Sequence, residues 1–145
     1  MLVRDLLHKK PPLLVTIETS EHVGAAARLL MERGVGGLVV VDEHGRLAGF
    51  IGERDIVDTL YRRPGDVRQL PVAQVMRRPP TCRPDDNVND VMSRMTDERL
   101  RHLIVVERGA PVGVISVGDI VRQRVMELEL ETGVLRDYVA AQRAV

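Results

Sequence analysis

One turn sequence occurs twice in this chain, and it constrains the fold more than any other feature. Residues 113–121 read Gly-Val-Ile-Ser-Val-Gly-Asp-Ile-Val, and residues 49–57 read Gly-Phe-Ile-Gly-Glu-Arg-Asp-Ile-Val, 64 positions earlier. Each copy is an apolar strand that turns into a helix, with Asp55 or Asp119 in the first helical turn. Free N–H groups at such a turn suit an anion, and a carboxylate suits a diol such as a ribose. Ser116 and both aspartates are also ordinary helix caps, so one copy alone favours a cap.

The two turns belong to a duplication that covers most of the chain. An apolar stripe at helical spacing returns 65 residues later, as Val23, Ala26, Ala27 and Leu30 and then as Val88, Val91, Met92 and Met95. The strand 38–41 returns at the same interval as 103–106, and Thr16 returns as Thr81. One residue is lost in the hairpin turn Arg108-Gly109, where a deletion is tolerated. A constant interval with a single deletion indicates an internal repeat.

Each repeat is predicted to contain a strand, a helix, two strands and a second helix. In the first repeat we expect strands at 13–17, 38–41 and 47–51, a helix that ends at Gly34, and a helix from Asp55 to about Tyr61. Ser20 is the predicted N-cap of the first of these helices, and Asp85 is its counterpart in the second repeat. A short apolar turn precedes each repeat, formed by Val3, Leu6 and Leu7 before Pro11-Pro12 and by Val72, Val75 and Met76 before Pro79-Pro80.

These elements predict an α+β fold, an α/β-type sandwich. Neither repeat is large enough to bury both faces of a three-stranded sheet, so two pseudo-twofold related β-α-β-β-α units should pack sheet to sheet. We expect the first repeat at residues 1–62, a linker at 63–70, the second repeat at 71–125 and a C-terminal helical extension at 126–145. The extension continues an apolar stripe across a predicted break near Thr132-Gly133. This stripe covers the protein's own core or faces a second copy, and the sequence leaves both readings open.

Composition excludes several classes of function. Lysine plus arginine (21) balances aspartate plus glutamate (21), and aromatic residues are 2% of the chain, so neither a basic footprint nor stacking platforms for nucleic acid are expected. Cys82 is the one cysteine and forms no internal disulfide, which indicates a reducing compartment. The sequence contains no signal-peptide core and no apolar run of membrane-spanning length. We therefore expect a cytoplasmic protein that binds neither nucleic acid nor membrane.

No catalytic constellation is evident in the sequence. The four histidines, His8, His22, His44 and His102, are scattered, and no pair has the spacing of metal ligands. Cys82 follows a short apolar strand and is expected to be a small buried hydrophobe rather than a reactive thiol. The glycines at 34, 36 and 37 lead into a strand, unlike a phosphate-binding loop. The prediction is that the protein is not an enzyme.

With the repeat and both turns in place, the chain resembles the CBS domain pair, or Bateman module, of stand-alone CBS-pair proteins. The resemblance extends from about Val3 to Arg124. It rests on the two strand-to-helix turns, 49–57 and 116–121, and on the strand Arg101-His102-Leu103-Ile104-Val105-Val106. Single elements of this kind are weak signals, but two of them in register with a repeat are a strong one.

The resemblance implies that adenine nucleotides bind in clefts between the repeats. AMP is the first candidate, and ADP, ATP, NAD(H) and S-adenosylmethionine share the same adenosine end. The implied second site consists of Thr81, Arg101, His102, Leu103, Ser116 and Asp119, where the aspartate binds ribose and the serine and arginine bind phosphate. The implied first site consists of Thr16, Gly37, Leu38, Arg54 and Asp55.

The first site departs from the family pattern. Gly52 stands where a hydroxyl residue is usual, and Gly36-Gly37 replaces Arg101-His102. Either this site is empty, or its glycines make room for a larger ligand such as the second half of a dinucleotide. The resemblance also implies a homodimer that signals in trans to an effector protein of unknown identity. The alternative is a ligand-free interaction or dimerisation module with degenerate nucleotide sites.

Overall fold

The structure is a computed structural model that describes residues 1–10 and 14–144. Within these residues, six α-helices and six strands follow in the order α1 (Val3–His8), β1 (Thr16–Glu18), α2 (Val23–Arg33), β2 (Gly37–Val41), β3 (Leu47–Gly52), α3 (Glu53–Arg62), α4 (Val72–Val75), β4 (Thr81–Cys82), α5 (Val88–Asp97), β5 (His102–Glu107), β6 (Ala110–Ser116) and α6 (Val117–Arg143). A short 3-10 turn, Val67–Gln69, precedes α4. The predicted helix stop at Pro11-Pro12 and the predicted strand start at Leu13 lie outside the described residues.

The two repeats fold into two three-stranded sheets of the same topology. In the first sheet β1 pairs parallel with β2 and β2 pairs antiparallel with β3, while β4, β5 and β6 follow the same order in the second. The register is also repeated, since Gly37 faces Gly52 and His102 faces Ser116. The predicted fold class of two β-α-β-β-α units with a C-terminal helix is confirmed.

The short helices α1 and α4 are exchanged between the two units. Val3 and Leu6 of α1 are buried in the core of the second unit, and Val72 of α4 is buried in the core of the first. Backbone hydrogen bonds fix both exchanges, because the Val3 N–H donates to the Asp86 carbonyl (2.9 Å) and the Val72 N–H donates to the Glu21 carbonyl (2.7 Å). Each unit therefore completes its core with a helix from the segment that precedes the other unit.

Glycines in β3 and β6 let the segments of α1 and α4 approach the sheets closely. A Cβ on Gly49 would lie 2.5 Å from the Met76 sulfur, and one on Gly113 would lie 2.7 Å from a Leu7 methyl carbon. These glycines are 64 residues apart, like the rest of the repeat. The contact is therefore built the same way in both units.

A third apolar cluster lies between the two sheets and holds the units together. Val39, Phe50 and Ile104 are its buried members, and each is at most 3% exposed. Because these residues come from β2, β3 and β5, the sheets pack face to face as predicted. The cavity described below opens beside this cluster.

Several local predictions are wrong. Helix α2 is capped at His22 rather than Ser20, and α5 is capped at Asn87, whose side chain accepts from the Asn89 N–H, rather than at Asp85. Asp85 instead pairs with Arg4 of α1. Each true cap lies two residues after the predicted one, because the turn after β1 and β4 runs further before the helix begins.

The apolar stripes are also narrower than predicted. Val23, Ala26 and Leu30 are buried in α2 and Val88, Val91 and Met95 in α5, whereas Ala27 is half-buried and Met92 is exposed. The sheet covers only the side of each helix that faces it. The fourth member of each stripe therefore lies at the edge of the contact.

The predicted break near Thr132-Gly133 does not occur, because α6 runs without interruption from Val117 to Arg143. A glycine inside a helix costs only about 1 kcal/mol, and the good helix formers around Gly133 offset it. The Thr132 hydroxyl donates to the Leu128 carbonyl (2.9 Å), so this hydroxyl has its hydrogen-bond partner within the helix.

Candidate functional site

The two strand-to-helix turns fold alike. The Gly52 N–H donates to Asp55 Oδ2 and the Ser116 N–H donates to Asp119 Oδ2, both at 2.8 Å. The next residue of each helix donates its N–H to the strand opposite, Glu53 to the Gly36 carbonyl and Val117 to the Arg101 carbonyl, both at 3.1 Å. Each aspartate therefore has one oxygen fixed by its own turn.

The turns differ in how the first helical N–H groups are satisfied. The Ser116 hydroxyl oxygen accepts from the Asp119 N–H (3.1 Å), so it caps α6. Gly52 has no side chain, and α3 has no side-chain cap. The N–H groups of Arg54 and Asp55 are therefore available to an anion, whereas that of Glu53 is engaged by the Gly36 carbonyl.

A basic side chain pairs with each aspartate, and the two pairs cross between the units. Arg77 Nε lies 3.2 Å from Asp55 Oδ2, and Lys10 Nζ lies 2.7 Å from Asp119 Oδ2. Lys10 also donates to the Val114 carbonyl (2.7 Å). The segment before each unit thus supplies the cation for the aspartate of the other unit.

Neither Lys10 nor Arg77 was predicted as a site residue, although the sequence contains a pattern that indicates both. Two basic residues precede each double proline, Lys9-Lys10 before Pro11-Pro12 and Arg77-Arg78 before Pro79-Pro80. A basic pair at the same place in both repeats indicates a shared role near the cleft.

A cavity of about 660 Å³ lies between the two units, at the Asp55 turn. The first unit contributes Gly36 and residues of β3 and α3, together with Arg77, whose backbone pairs with Phe50 of β3. The second unit contributes residues 99–102. The lining consists of Gly36, Phe50, Gly52, Glu53, Arg54, Asp55, Arg77, Arg99, Leu100, Arg101 and His102. Four arginines face two carboxylates here, so the cavity suits an anion, and arginine is well matched to phosphate.

Two rings form one wall of this cavity. The rings of Phe50 and His102 lie with centroids 5.8 Å apart, and the Arg77 guanidinium lies 5.0 Å from the Phe50 ring centre. Burial lowers the pKa of His102, and the charges of Arg77, Lys10 and Arg101 add to this effect while Asp119 opposes it. His102 is therefore neutral at pH 7 and presents one donor and one acceptor nitrogen.

One of the two alternatives predicted for the first site was that its glycines make room for a larger ligand. Gly37 does not provide that room. A Cβ at Gly37 would lie 2.1 Å from the tip of the Phe50 ring, so that ring fills the space. At Gly36, in contrast, no atom lies within 4 Å of the position of a Cβ. The opening in the first unit is therefore at Gly36.

The structure brings together residues that the sequence assigned to different sites. Arg54 and Asp55 of the implied first site line the same cavity as Arg101 and His102 of the implied second site. Leu38 and Leu103 are fully buried, so only their backbone is available to a ligand. Thr16 pairs with Val39 and is exposed at the start of β1.

The remaining residues of the implied second site lie apart from this cavity. Thr81 lines a different cavity of about 770 Å³, together with Asp85 and Asp86. The Asp119 side chain is 9% exposed and is covered by Lys10. Burial raises the pKa of Asp119, but hydrogen bonds from Lys10 and Ser116 outweigh it, and the pKa lies below its ordinary value.

Cys82 is buried, as predicted, and burial together with the nearby Asp86 raises the pKa of its thiol to about 11. Within residues 1–10 and 14–144, no three or more His, Cys, Asp or Glu side chains are grouped in a way that would hold a metal ion. None of the helices in this part of the chain is both long and apolar enough to cross a membrane.

Comparison with known proteins finds two matches to one family model within the chain. The model, described as CBS domain, matches residues 3–62 and 72–125. Among curated proteins, the chain is 32% identical over 126 residues to the mitochondrial CBS domain-containing protein CBSX3 of Arabidopsis thaliana, covering 83% of this chain and 61% of that protein. The chain spans less than two thirds of the length of the first curated relatives it matches.

Solved structures agree with the fold. The CBS-domain containing protein ATU1752 from Agrobacterium tumefaciens superposes with a TM-score of 0.78 at 33% identity, over 85% of this chain and 92% of that one. The CBS domain protein PAE2072 from Pyrobaculum aerophilum, which was crystallised with AMP, superposes with a TM-score of 0.77 at 28% identity, over 91% of this chain and 99% of that one.

Proposed function

The chain belongs to the CBS domain family, whose paired domains are regulatory modules, and from that premise we propose that it binds an adenine nucleotide between its two units. AMP is the first candidate, and ADP, ATP, NAD(H) and S-adenosylmethionine are the others. The nucleotide changes how the units pack, and an effector protein senses the change in trans. The observation that carries this proposal is the cavity of about 660 Å³ at Asp55, which residues of both units line.

The residues of this cavity fit the parts of a nucleotide. A volume of this size lies within the range of about 300–1,000 Å³ that is typical of small-molecule sites. Asp55 has its Oδ2 engaged by Gly52 and Arg77, which leaves Oδ1 to accept from ribose hydroxyls. The uncapped start of α3 and the guanidinium groups of Arg54 and Arg101 suit a phosphate. Backbone at Gly36, where the first unit leaves an opening, is the proposed contact of the adenine ring. Gly37 and Leu38, the contacts that the resemblance implies, do not line this cavity.

Binding at this place joins the two units. Arg101 comes from the second unit, whereas Arg54 and Asp55 come from the first. Arg77 also belongs with the first unit, because its backbone pairs with Phe50 of β3. A phosphate that contacts arginines of both units favours the packing in which they converge, and the ligand shifts the population toward it.

The second cleft has a different role in this proposal. Lys10 occupies the space beside Asp119, where it makes two hydrogen bonds of 2.7 Å. A ribose at Asp119 would have to share that carboxylate with Lys10. We assign the primary site to Asp55, and Ser116, Asp119 and Thr81 remain the predicted residues of a second, weaker site.

The proposal includes a cytoplasmic location, a non-enzymatic role and a homodimer. The second candidate function is a ligand-free interaction module. The Lys10–Asp119 pair favours it, because a side chain of the protein itself already engages the carboxylate of the second turn.

Thermal unfolding of nucleotide-free protein tests the proposal. AMP, ADP, ATP, NAD, NADH and S-adenosylmethionine are the ligands, with GMP as the control that shares the ribose and phosphate but not the adenine. A ligand at a hundredfold over its Kd adds about 2.7 kcal/mol of stability. For a chain of this size we expect the Tm to rise by roughly 5–11 °C with at least one adenosine compound. No rise with any of them would favour the ligand-free module.

A further inference from the structure

The C-terminal helix α6 presents a row of apolar side chains that the rest of the described chain does not cover. Val121, Val125, Leu128, Leu135 and Val139 are each between 46% and 63% exposed. We infer that α6 pairs with α6 of a second copy of this chain as a parallel two-stranded coiled coil over residues 121–142. This deepens the proposed homodimer, and it does not depend on whether the cavity binds a nucleotide.

The spacing of the row is that of a coiled coil. With Thr132 included, its members follow one another at intervals of four, three, four, three and four residues. This heptad pattern places Val121, Leu128 and Leu135 at positions d, and Val125, Thr132 and Val139 at positions a. Apolar residues at a and d form the seam by which helices supercoil around one another. We call these six residues the seam.

The residue types in the seam favour two strands. All three a positions hold β-branched residues, and two of the three d positions hold leucine, the combination that selects two strands in parallel coiled coils. Thr132 is the one polar member. Its hydroxyl donates to the Leu128 carbonyl (2.9 Å), so its methyl group is left for packing.

Charges beside the seam complement those of a second copy in the parallel arrangement. There, position g of one helix faces position e of the next heptad in the other, so Glu131 faces Arg136 of the second copy and Arg124 faces its Glu129. Glu129, Glu131 and Arg136 form no ion pair among the residues that the structure describes, whereas Arg124 binds Glu127 at 3.1 Å.

The antiparallel alignment that pairs all six seam residues brings like charges together. In that alignment Glu129 and Glu131 each approach their own counterpart in the second copy. Like charges opposite each other are destabilising. A second copy in parallel is therefore the occupant that this face fits.

A pair of adjacent substitutions tests which face of α6 is buried. Val134 and Leu135 are similarly exposed, at 67% and 63%, but only Leu135 belongs to the seam. Sedimentation equilibrium of the full chain should show a dimer for the parent and for Val134→Lys, and a monomer for Leu135→Lys at the same concentration. Leu128→Lys is a second seam variant, and circular dichroism checks that each variant stays helical. A parent that is monomeric, or two variants that behave alike, would overturn the inference.

A charge swap tests the orientation. Glu131→Arg places like charges opposite each other at two symmetric places and should raise the dimer Kd about tenfold at low salt. The double variant E131R/R136E restores opposite charges in a parallel dimer and should return the Kd to the parent value. In the antiparallel dimer that pairs the whole seam, Glu131 already faces its own counterpart, so Glu131→Arg exchanges one like-charge pair for another and would leave the Kd near the parent value. That result would overturn the parallel assignment.

Disulfide formation provides a second measure of orientation. In the parallel dimer, a cysteine at Val139→Cys faces its own counterpart, and mild oxidation should cross-link the protein in high yield. In the antiparallel dimer that pairs the whole seam, the two cysteines would lie about 27 Å apart along the helix, beyond the reach of a disulfide. Val134→Cys is the control outside the seam, and Cys82 is buried and does not compete. Failure of Val139→Cys to cross-link a protein that is dimeric would refute the parallel coil while leaving the dimer itself intact.

Discussion

Replacing Asp55 with asparagine is expected to raise the Kd for AMP about 10- to 150-fold. Asp55 Oδ2 already accepts from the Gly52 N–H (2.8 Å) and from Arg77 (3.2 Å). Its Oδ1 accepts no hydrogen bond from the described residues, so it is the oxygen that a ribose hydroxyl would reach. A hydrogen bond to a charged group contributes about 1.5–3 kcal/mol, and each 1.4 kcal/mol changes the Kd tenfold.

Asparagine is a conservative replacement at this position. Its amide oxygen can still accept from the Gly52 N–H, so the start of α3 keeps its hydrogen bond. The substitution removes the charge and one acceptor oxygen, which are the features that the ribose contact needs. Thermal unfolding without ligand checks that the variant is folded.

The repeat supplies the matched control, Asp119→Asn. Asp119 holds the same place in the second turn, but it is covered by Lys10. Isothermal titration calorimetry at fixed ionic strength should therefore show a Kd within about twofold of the parent for this variant. A large loss in Asp119→Asn with no loss in Asp55→Asn would place the ligand in the second cleft. No loss in either variant would refute the ribose contact.

Three further predictions concern stability and reactivity. Gly37→Ala pushes a methyl group into the Phe50 ring and should cost about 1–3 kcal/mol, a fall in Tm of roughly 3–10 °C by calorimetry. The pKa of Asp119 is lowered in the folded state, so the unfolded state takes up the proton first as the pH falls. The contribution of Asp119 to the free energy of unfolding is therefore retained above pH ~4 and is lost below it. Urea unfolding at several pH values should show a less steep loss in Lys10→Met than in the parent. Cys82 should resist a thiol reagent at pH 8 in the folded protein and react in urea, because burial raises its pKa to about 11.

Each of these predictions has a control or a contradicting result. Gly36→Ala places a methyl group where no atom lies within 4 Å, so it should leave the Tm nearly unchanged. An equal loss in both glycine variants would show that the Phe50 contact is not the cause. Equal acid sensitivity in Lys10→Met and the parent would show that Lys10 does not set the pKa of Asp119. Rapid reaction of Cys82 in the folded protein would contradict its burial.

The sequence predicts the architecture well because the fold repeats. Two copies of each strand and helix in constant register indicate the topology of one unit and its pairing with the other, and the sheets and their registers follow that pattern. The turn at Asp55 and its copy at Asp119 also fold as expected, since a strand end followed by a capping aspartate has few alternatives. The division at residues 62, 70 and 125 stays a prediction.

The crosswise contacts could not be predicted from the sequence. An apolar turn such as Val3 and Leu6 indicates that the turn is buried, but both cores are equally apolar and the pattern does not say which one receives it. For the same reason, the sequence does not predict that Lys10 pairs with Asp119 and that Arg77 pairs with Asp55. These contacts depend on where the chain crosses between units, which is a property of the assembled fold.

The composition of the cavity was missed for a related reason. Arg101 and Asp55 belong to different repeats, and assignment repeat by repeat separates them, whereas sheet-to-sheet packing brings them to one cavity. Phe50 lies in an apolar strand like its neighbours, and only its position opposite Gly37 shows that it fills the space beside that glycine. A glycine in one strand and a large ring in the next become complementary only once the register is known.

A crystal structure of the protein with AMP is the most direct test of the central claim. We expect one nucleotide in the cavity between the units. Its ribose should contact Asp55, and its phosphate should contact the start of α3, Arg54 and Arg101. Contacts from both units to the same nucleotide would support the proposed shift in packing. AMP bound at Asp119 with Lys10 displaced and the Asp55 cavity empty, or no AMP bound at saturating concentration, would contradict it.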